Sequence, residues 1–207
     1  MAPRRRKRLD PALFALPVEH IRAGVYTDAY FERARAVLGQ DKRSPTVLIQ
    51  VSGKTTAHLG GIDEAVAMLK LAADDWAALA VHALYEGDWY DDWETVLTIE
   101  GPYESFAHLE TLYLGVLGRR TKICTNARAA VEAARPKPVF FFGARDDLYL
   151  AQPGDGYSAH SGGMTVVSTP AHASLFGGTA RGTIPHALVA AYGGNTDRKS
   201  TRLNSSH

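Results

Sequence analysis

Val139-Phe140-Phe141-Phe142-Gly143, followed by Ala144-Arg145-Asp146, is the stretch that decides the fold. The apolar run follows Pro136-Lys137-Pro138 and shows no polar alternation. That pattern predicts a strand buried on both faces, of the kind found in parallel sheets flanked by helices. The run stops at Arg145. In open α/β sheets and barrels, ligands bind at the carboxyl ends of the strands. An Arg at such a position presents a fixed fork of donors to a carboxylate or phosphate. The alternative there is a surface ion pair with Asp146 or Asp147.

Working outward, Thr121–Ala134 reads as a helix that stops before Pro136, and Met164–Ser168 as a second short apolar strand. Pro170–Phe176 and Pro185–Ala191 each open on a Pro suited to a first helical turn. Upstream, Thr27 or Asp28 can cap a helix with apolar residues at Tyr30, Phe31, Ala34, Val37 and Leu38, closed by Gly39. Thr46–Val51 is rich in β-branched residues and predicts a strand. Gly60-Gly61 leads into a helix with Ile62, Ala65, Val66 and Leu69 on one face. Trp76–Leu84 leans to strand, and Trp93–Glu100 predicts a strand ended by Gly101-Pro102. Ser105 can cap a helix with the stripe Leu109, Leu112, Tyr113, Val116 and Leu117.

The fold class is therefore α/β: an α+β domain followed by the start of an incomplete TIM-like α/β barrel. The expected division is 1–16 as a disordered basic tail and lead-in, 17–118 as the α+β domain, and 119–196 as the first part of the barrel, truncated. Residues 197–207, Asp-Arg-Lys-Ser-Thr-Arg-Leu-Asn-Ser-Ser-His, match an in-frame translation of a common sequencing adapter. They are polar and patternless, and are set aside as one would a cloning scar.

The 207 residues are 45% hydrophobic and carry a net charge of +1. That figure hides a split. Residues 4–8 hold five positive charges, and residues 197–207 hold three positive and one negative. The remainder has 15 basic and 21 acidic residues, a net charge of −6. An acidic body of this kind argues against a nucleic-acid partner. The lone Cys124 excludes an intrachain disulfide and fits a reducing compartment, with a cytoplasmic location expected. The sequence shows no apolar run of membrane-spanning length and no signal peptide.

Three segments carry a resemblance. Phe142-Gly143-Ala144-Arg145 resembles the Phe-Gly-x-Arg strand that opens the barrel of nicotinate and nicotinamide phosphoribosyltransferases. Gly182-Thr183-Ile184-Pro185-His186 resembles the Gly-Thr-x-x-His segment of the nicotinate enzymes. Thr27-Asp28-Ala29-Tyr30 resembles their N-terminal Asp-x-Tyr segment. The similarity runs from about Ile21 to Thr196. It implies the type II phosphoribosyltransferase fold and a chain longer than this one, of which the residues here are an N-terminal fragment, inactive by itself.

The implied reaction joins nicotinate to phosphoribosyl pyrophosphate with coupled ATP hydrolysis, in NAD salvage. ATP is then a co-substrate, with Mg²⁺, and the full-length parent is a homodimer. The chemistry requires a flat ring held rigidly, its carboxylate recognised, and phosphates clamped while ribose C1 becomes cationic. The resemblance places Phe142 on one face of the pyridine ring and Tyr30, from a partner subunit, on the other. Arg145 meets the carboxylate or a phosphate, with Asp146 standing where the family usually has a second Arg. Arg33 and Gly182 serve the phosphates, and Thr183 offers a hydroxyl. His186 matches the histidine that ATP-coupled members phosphorylate, a role suited to an imidazole that is partly neutral near pH 7.

Ser168 stands where the nicotinamide enzymes carry Asp. A hydroxyl can donate to a carboxylate, whereas an Asp repels it. The acid substrate is therefore expected, with quinolinate or nicotinamide enzymes of the same fold, or a non-catalytic product, as alternatives. Two further patterns carry less. Ser52-Gly53-Lys54-Thr55 ends like a P-loop, but Leu48 stands where the first Gly belongs. His160, His172 and His186 lack metal-ligand spacing, so no metal site is expected.

Overall fold

The computed structural model describes residues 6–192. The expected adapter-derived segment 197–207 lies outside the described residues, as do residues 1–5 of the basic lead-in. The described part of that lead-in is anchored rather than loose. Arg8 pairs with buried Asp63 at 2.8 Å and donates to the carbonyls of Ala83 and Leu84. A turn of 3-10 helix, Pro11–Phe14, follows, capped by Asp10.

The first half is built on a three-stranded antiparallel sheet. Its strands are β1 (Thr46–Ser52), β3 (Ala80–Ala83) and β5 (Thr95–Pro102), in the order β1-β5-β3. β1 alternates as its period-2 pattern requires: Val47, Ile49 and Val51 turn inward, and Leu48 points out. β5 is central and buries Val96, Leu97 and Ile99. A short ladder, β2 (Ala57–His58) with β4 (Trp89–Tyr90), flanks it.

Helices α1 (Val18–Arg22), α2 (Ala29–Gln40), α3 (Ile62–Ala72) and the one-turn α4 (Tyr103–Phe106) complete this half. Ile62, Ala65 and Leu69 of α3 join Phe106, Leu109 and Tyr113 in one apolar core. The stretch expected to be strand from Trp76 divides into a 3-10 turn, Trp76–Ala78, and β3. Asp75 causes the division, accepting the N–H groups of Ala77 and Ala78 and winding the chain into a turn.

The two helices expected around 105–117 and 121–134 form a single 25-residue helix, α5 (Glu110–Ala134). It crosses the expected domain division at 118–119 without a break. Gly115 and Gly118 lower local propensity but do not interrupt it, because packing on both ends outweighs their cost of about 1 kcal/mol each. Ser105 does not cap this helix; its hydroxyl instead accepts the N–H of Asp75.

Beyond α5 the chain turns parallel. β6 (Phe140–Phe141) pairs with β7 (Val166–Val167), and a single parallel bridge from Val167 to Ala180 adds a third rung. Helices α6 (Gln152–Ser161) and α7 (Pro170–Ala173) lie between, and α8 (His186–Ala191) ends the described chain. The strand at 139–143 is shorter and more open than its apolar run predicts: Phe140 is 47% and Phe142 45% exposed. Among the described residues β6 has β7 as its one ladder partner, so neither face is closed in the way a central parallel strand requires. Among the described residues no closed barrel forms.

Helix α6 was hidden in the sequence by its glycines, and packing explains them. A Cβ at Gly156 would lie 2.1 Å from the carbonyl of His172, and one at Gly154 would lie 2.2 Å from the Arg120 guanidinium. Only glycine lets α6 come this close to α7 and α5.

Candidate functional site at the strand ends

The parallel order β6, β7, Ala180 sets three chain segments side by side at one edge. Phe142–Arg145 leaves β6, Ser168-Thr169 leaves β7, and Arg181-Gly182-Thr183 leaves the third rung. Carboxyl ends of adjacent parallel strands form a crevice for ligands.

Phe142 stands half out of this edge, stacked with Phe140 at 6.4 Å and 27°. Arg145 ends the 3-10 turn Gly143–Arg145 and is exposed. The surface pair open to it in the sequence does not form: Asp147 is held instead by Arg119 at 2.8 Å. The Ser168 Oγ is shielded from solvent and has no hydrogen-bond partner. A buried hydroxyl in that state is a donor and acceptor awaiting a group. Gly182 and Thr183 are exposed, and a Cβ at Gly182 would meet nothing within 4 Å. His186 opens α8, exposed.

Tyr30 and Arg33 are not part of this edge cluster. Both are exposed on α2, which packs on Ala107–Leu109 and α4. Tyr30 is 59% exposed, its ring 4.2 Å from that of Phe31. The histidines set aside as metal ligands are apart in role. His160 stacks on Phe176 at 4.1 Å, and buried His172 meets Phe141 edge-on at 5.0 Å. Burial holds the His172 pKa below its usual value. Among the described residues no three His, Cys, Asp or Glu groups gather as a metal site.

Residues not singled out from the sequence hold the edge in shape. Gln152 links two of its segments: its Nε2 donates to Ala144 O at 3.4 Å, and its Oε1 accepts from the Thr169 hydroxyl at 2.9 Å. Thr169 in turn accepts the backbone N–H of His172 as the cap of α7. Behind them, Asp155 is 2% exposed and receives both Nε and Nη2 of Arg119, at 3.0 and 2.8 Å, together with Arg120. Arg120 also reaches Glu64 on α3 at 3.0 Å. Arg181, exposed beside Gly182, adds a cation at the edge. The Pro153 that follows Gln152 was a usable sign of a helix start.

Sequence and structure comparisons agree with this architecture. The family described as "Quinolinate phosphoribosyl transferase, N-terminal domain" matches residues 28–121. Nicotinate phosphoribosyltransferase 1 of Arabidopsis thaliana is 34% identical over 124 residues, covering 57% of this chain and 22% of its own. A nicotinate phosphoribosyltransferase of Mycobacterium tuberculosis is 31% identical over 115 residues, 54% of this chain and 26% of its own. The nicotinate-nucleotide pyrophosphorylase of Pyrococcus furiosus superposes with a TM-score of 0.81 at 31% identity, over 93% of this chain and 49% of that one. Human nicotinic acid phosphoribosyltransferase shares the fold, with a TM-score of 0.70 at 20% identity over 80% of this chain and 40% of that one. The matches to the curated relatives span about a quarter of those proteins' length.

Proposed function

We propose that the chain belongs to the nicotinate phosphoribosyltransferase family, a reading supported by its curated relatives and by its type II phosphoribosyltransferase fold, and that its strand-end edge is the base-binding part of an enzyme making nicotinate mononucleotide from nicotinate and phosphoribosyl pyrophosphate. The reading rests on one observation: Phe142, Arg145, Ser168 and Thr183 fall on three neighbouring strand ends. In this proposal Phe142 stacks on the pyridine ring. The unpartnered Ser168 hydroxyl donates to the substrate carboxylate, and Arg145 neutralises the carboxylate or a phosphate. Gly182 and Thr183 take a phosphate, with Arg181 beside them. As the C1–O bond to pyrophosphate breaks and the ring nitrogen bonds to C1, fixed donors hold the departing charge.

His186 is the proposed acceptor of phosphate from ATP, its exposed ring free to react. The residues described form no protein cage for Mg²⁺, so in this proposal the ion is held chiefly by substrate phosphates. Tyr30 and Arg33, away from the edge, serve the site of a second copy in a homodimer, in a cytoplasmic enzyme. No helix among the described residues is long and apolar enough to cross a membrane.

A second reading, quinolinate as substrate, is favoured by the quinolinate family match and by Arg181 as a second edge cation. Competition between nicotinate, quinolinate and nicotinamide in the full-length parent decides between them. Nicotinate use that collapses in Ser168→Asp, with folding kept, supports the first reading. Preference for nicotinamide, or for quinolinate, by the unmutated enzyme overturns it. Incubation with ATP and Mg²⁺ should also leave an acid-labile phosphate that is absent in His186→Ala.

A further inference from the structure

Away from the strand ends, a groove of about 490 Å³ opens between the loop after β1 and the middle of α5. It shares no residue with the edge cluster. Its size is that of a small-ligand site. The floor is apolar and buried: Leu59, Tyr90, Val96 and Leu117 are each no more than 6% exposed. The walls are rigid. Thr121 and Thr125 of α5 exchange hydrogen bonds with the backbone of Gly60 and His58, clamping the β2 segment to the helix.

The rim is cationic. Lys54 comes from the loop and Lys122 from the helix; neither is in an ion pair among the described residues, and no acid lines the groove. This occurs in a chain body whose net charge is −6. Among the described residues, the backbone N–H groups of Gly53, Lys54, Thr55 and Thr56 have no hydrogen-bond acceptor. The Ser52-Gly53-Lys54-Thr55 loop is thus no P-loop, since a bend and β2 follow it instead of a helix, yet all four of its residues line the groove. Two features keep that opening clear. Gly53 is forced by Tyr90, whose ring would lie 2.1 Å from a Cβ there. Gly118 has no such reason: it is a poor helix former inside α5, and its Cβ would meet nothing within 4 Å. It leaves room where a side chain would fill the groove.

We propose that this groove binds a nucleoside monophosphate, its ring on the apolar floor and its phosphate between Lys54 and Lys122. A dianion matches two lysines and a row of amide donors, and an apolar floor rewards a flat ring. The test is calorimetric titration of the folded chain with AMP, with adenosine and inorganic phosphate as the two partial ligands. AMP should bind at least tenfold more tightly than either. Lys54→Ala and Lys122→Ala should each weaken it about tenfold, and Gly118→Leu should abolish it with both charges kept. Circular dichroism checks that each variant folds, and Gly118→Val replaces Gly118→Leu if that variant does not. Arg145→Ala separates the two sites. Binding lost in Arg145→Ala but kept in Lys54→Ala belongs to the strand-end edge and overturns the proposal. So does AMP binding no tighter than phosphate, AMP binding indifferent to Gly118→Leu, or no binding at all.

Discussion

Gln152 accepts a hydrogen bond from Thr169 at 2.9 Å while its amide donates to Ala144. One side chain on α6 therefore spans from the β6 exit to the β7 exit. Each neutral bond of this kind contributes about 0.5–1.5 kcal/mol net. Gln152→Ala should release both segments without unfolding the molecule. Hydrogen exchange at residues 143–147 and 169–173 should speed up roughly tenfold, the factor that about 1.4 kcal/mol corresponds to. Exchange no faster than in the parent chain would show that the clasp does not hold the edge.

Asp155 is the only carboxylate that meets both Arg119 and Arg120 among the described residues. Its hydrogen bonds to Arg119, with those to Asp147, raise the Arg119 pKa above the usual range. Asp155→Ala leaves the Arg120 guanidinium, whose side chain is 8% exposed, with Glu64 as its one remaining charged partner. Removing one partner of a buried pair costs about 3–5 kcal/mol when the charge is left uncompensated, and the retained Glu64 contact puts Asp155→Ala at the lower end of that range. Urea unfolding should register a loss of that order. A loss below about 1 kcal/mol would mean that water reaches Arg120 in the variant.

Glu86 caps the start of α3, accepting the N–H groups of Gly61 and Asp63 at 3.1 Å. Burial, with the nearby Asp63 charge adding to it, pushes its pKa from 4.5 up to about 7. A carboxyl raised in this way holds a proton in the folded state that the unfolded chain has released. Stability from this group is therefore greatest at low pH, falls as pH rises from about 4.5 to about 7, and is level above. Glu86→Gln removes the slope. Thermal melts across that window should show the parent chain losing stability relative to the variant; parallel curves would refute the assignment.

Leu148, Tyr149 and Leu150 are 76%, 73% and 76% exposed in succession, close in sequence to half-exposed Phe140 and Phe142. Consecutive exposed apolar residues mark a surface that binds dyes or other chains. The chain should bind ANS and self-associate as concentration rises, and Leu148→Ser with Leu150→Ser should reduce both severalfold. Dye fluorescence unchanged by the double variant would place the sticky surface elsewhere.

Local pattern alone carried much of this architecture. The strand at Thr46–Val51 was legible from its β-branched residues, and the helix at 62–69 from its spacing, because a helix that buries one face writes its period into the sequence. The order of elements after Thr121 sufficed for a parallel arrangement with Arg145 and Ser168 at strand ends. Tertiary structure decided what period cannot encode. α5 runs on through Gly115 and Gly118 because packing at both ends outweighs local propensity. α6 is a helix despite Gly154 and Gly156, because Arg120 and His172 occupy the space their side chains would need. Gln152 and Asp155 gain their roles from partners 17 and 35 or 36 residues away. Such contacts depend on three-dimensional proximity, which no single stretch of sequence states.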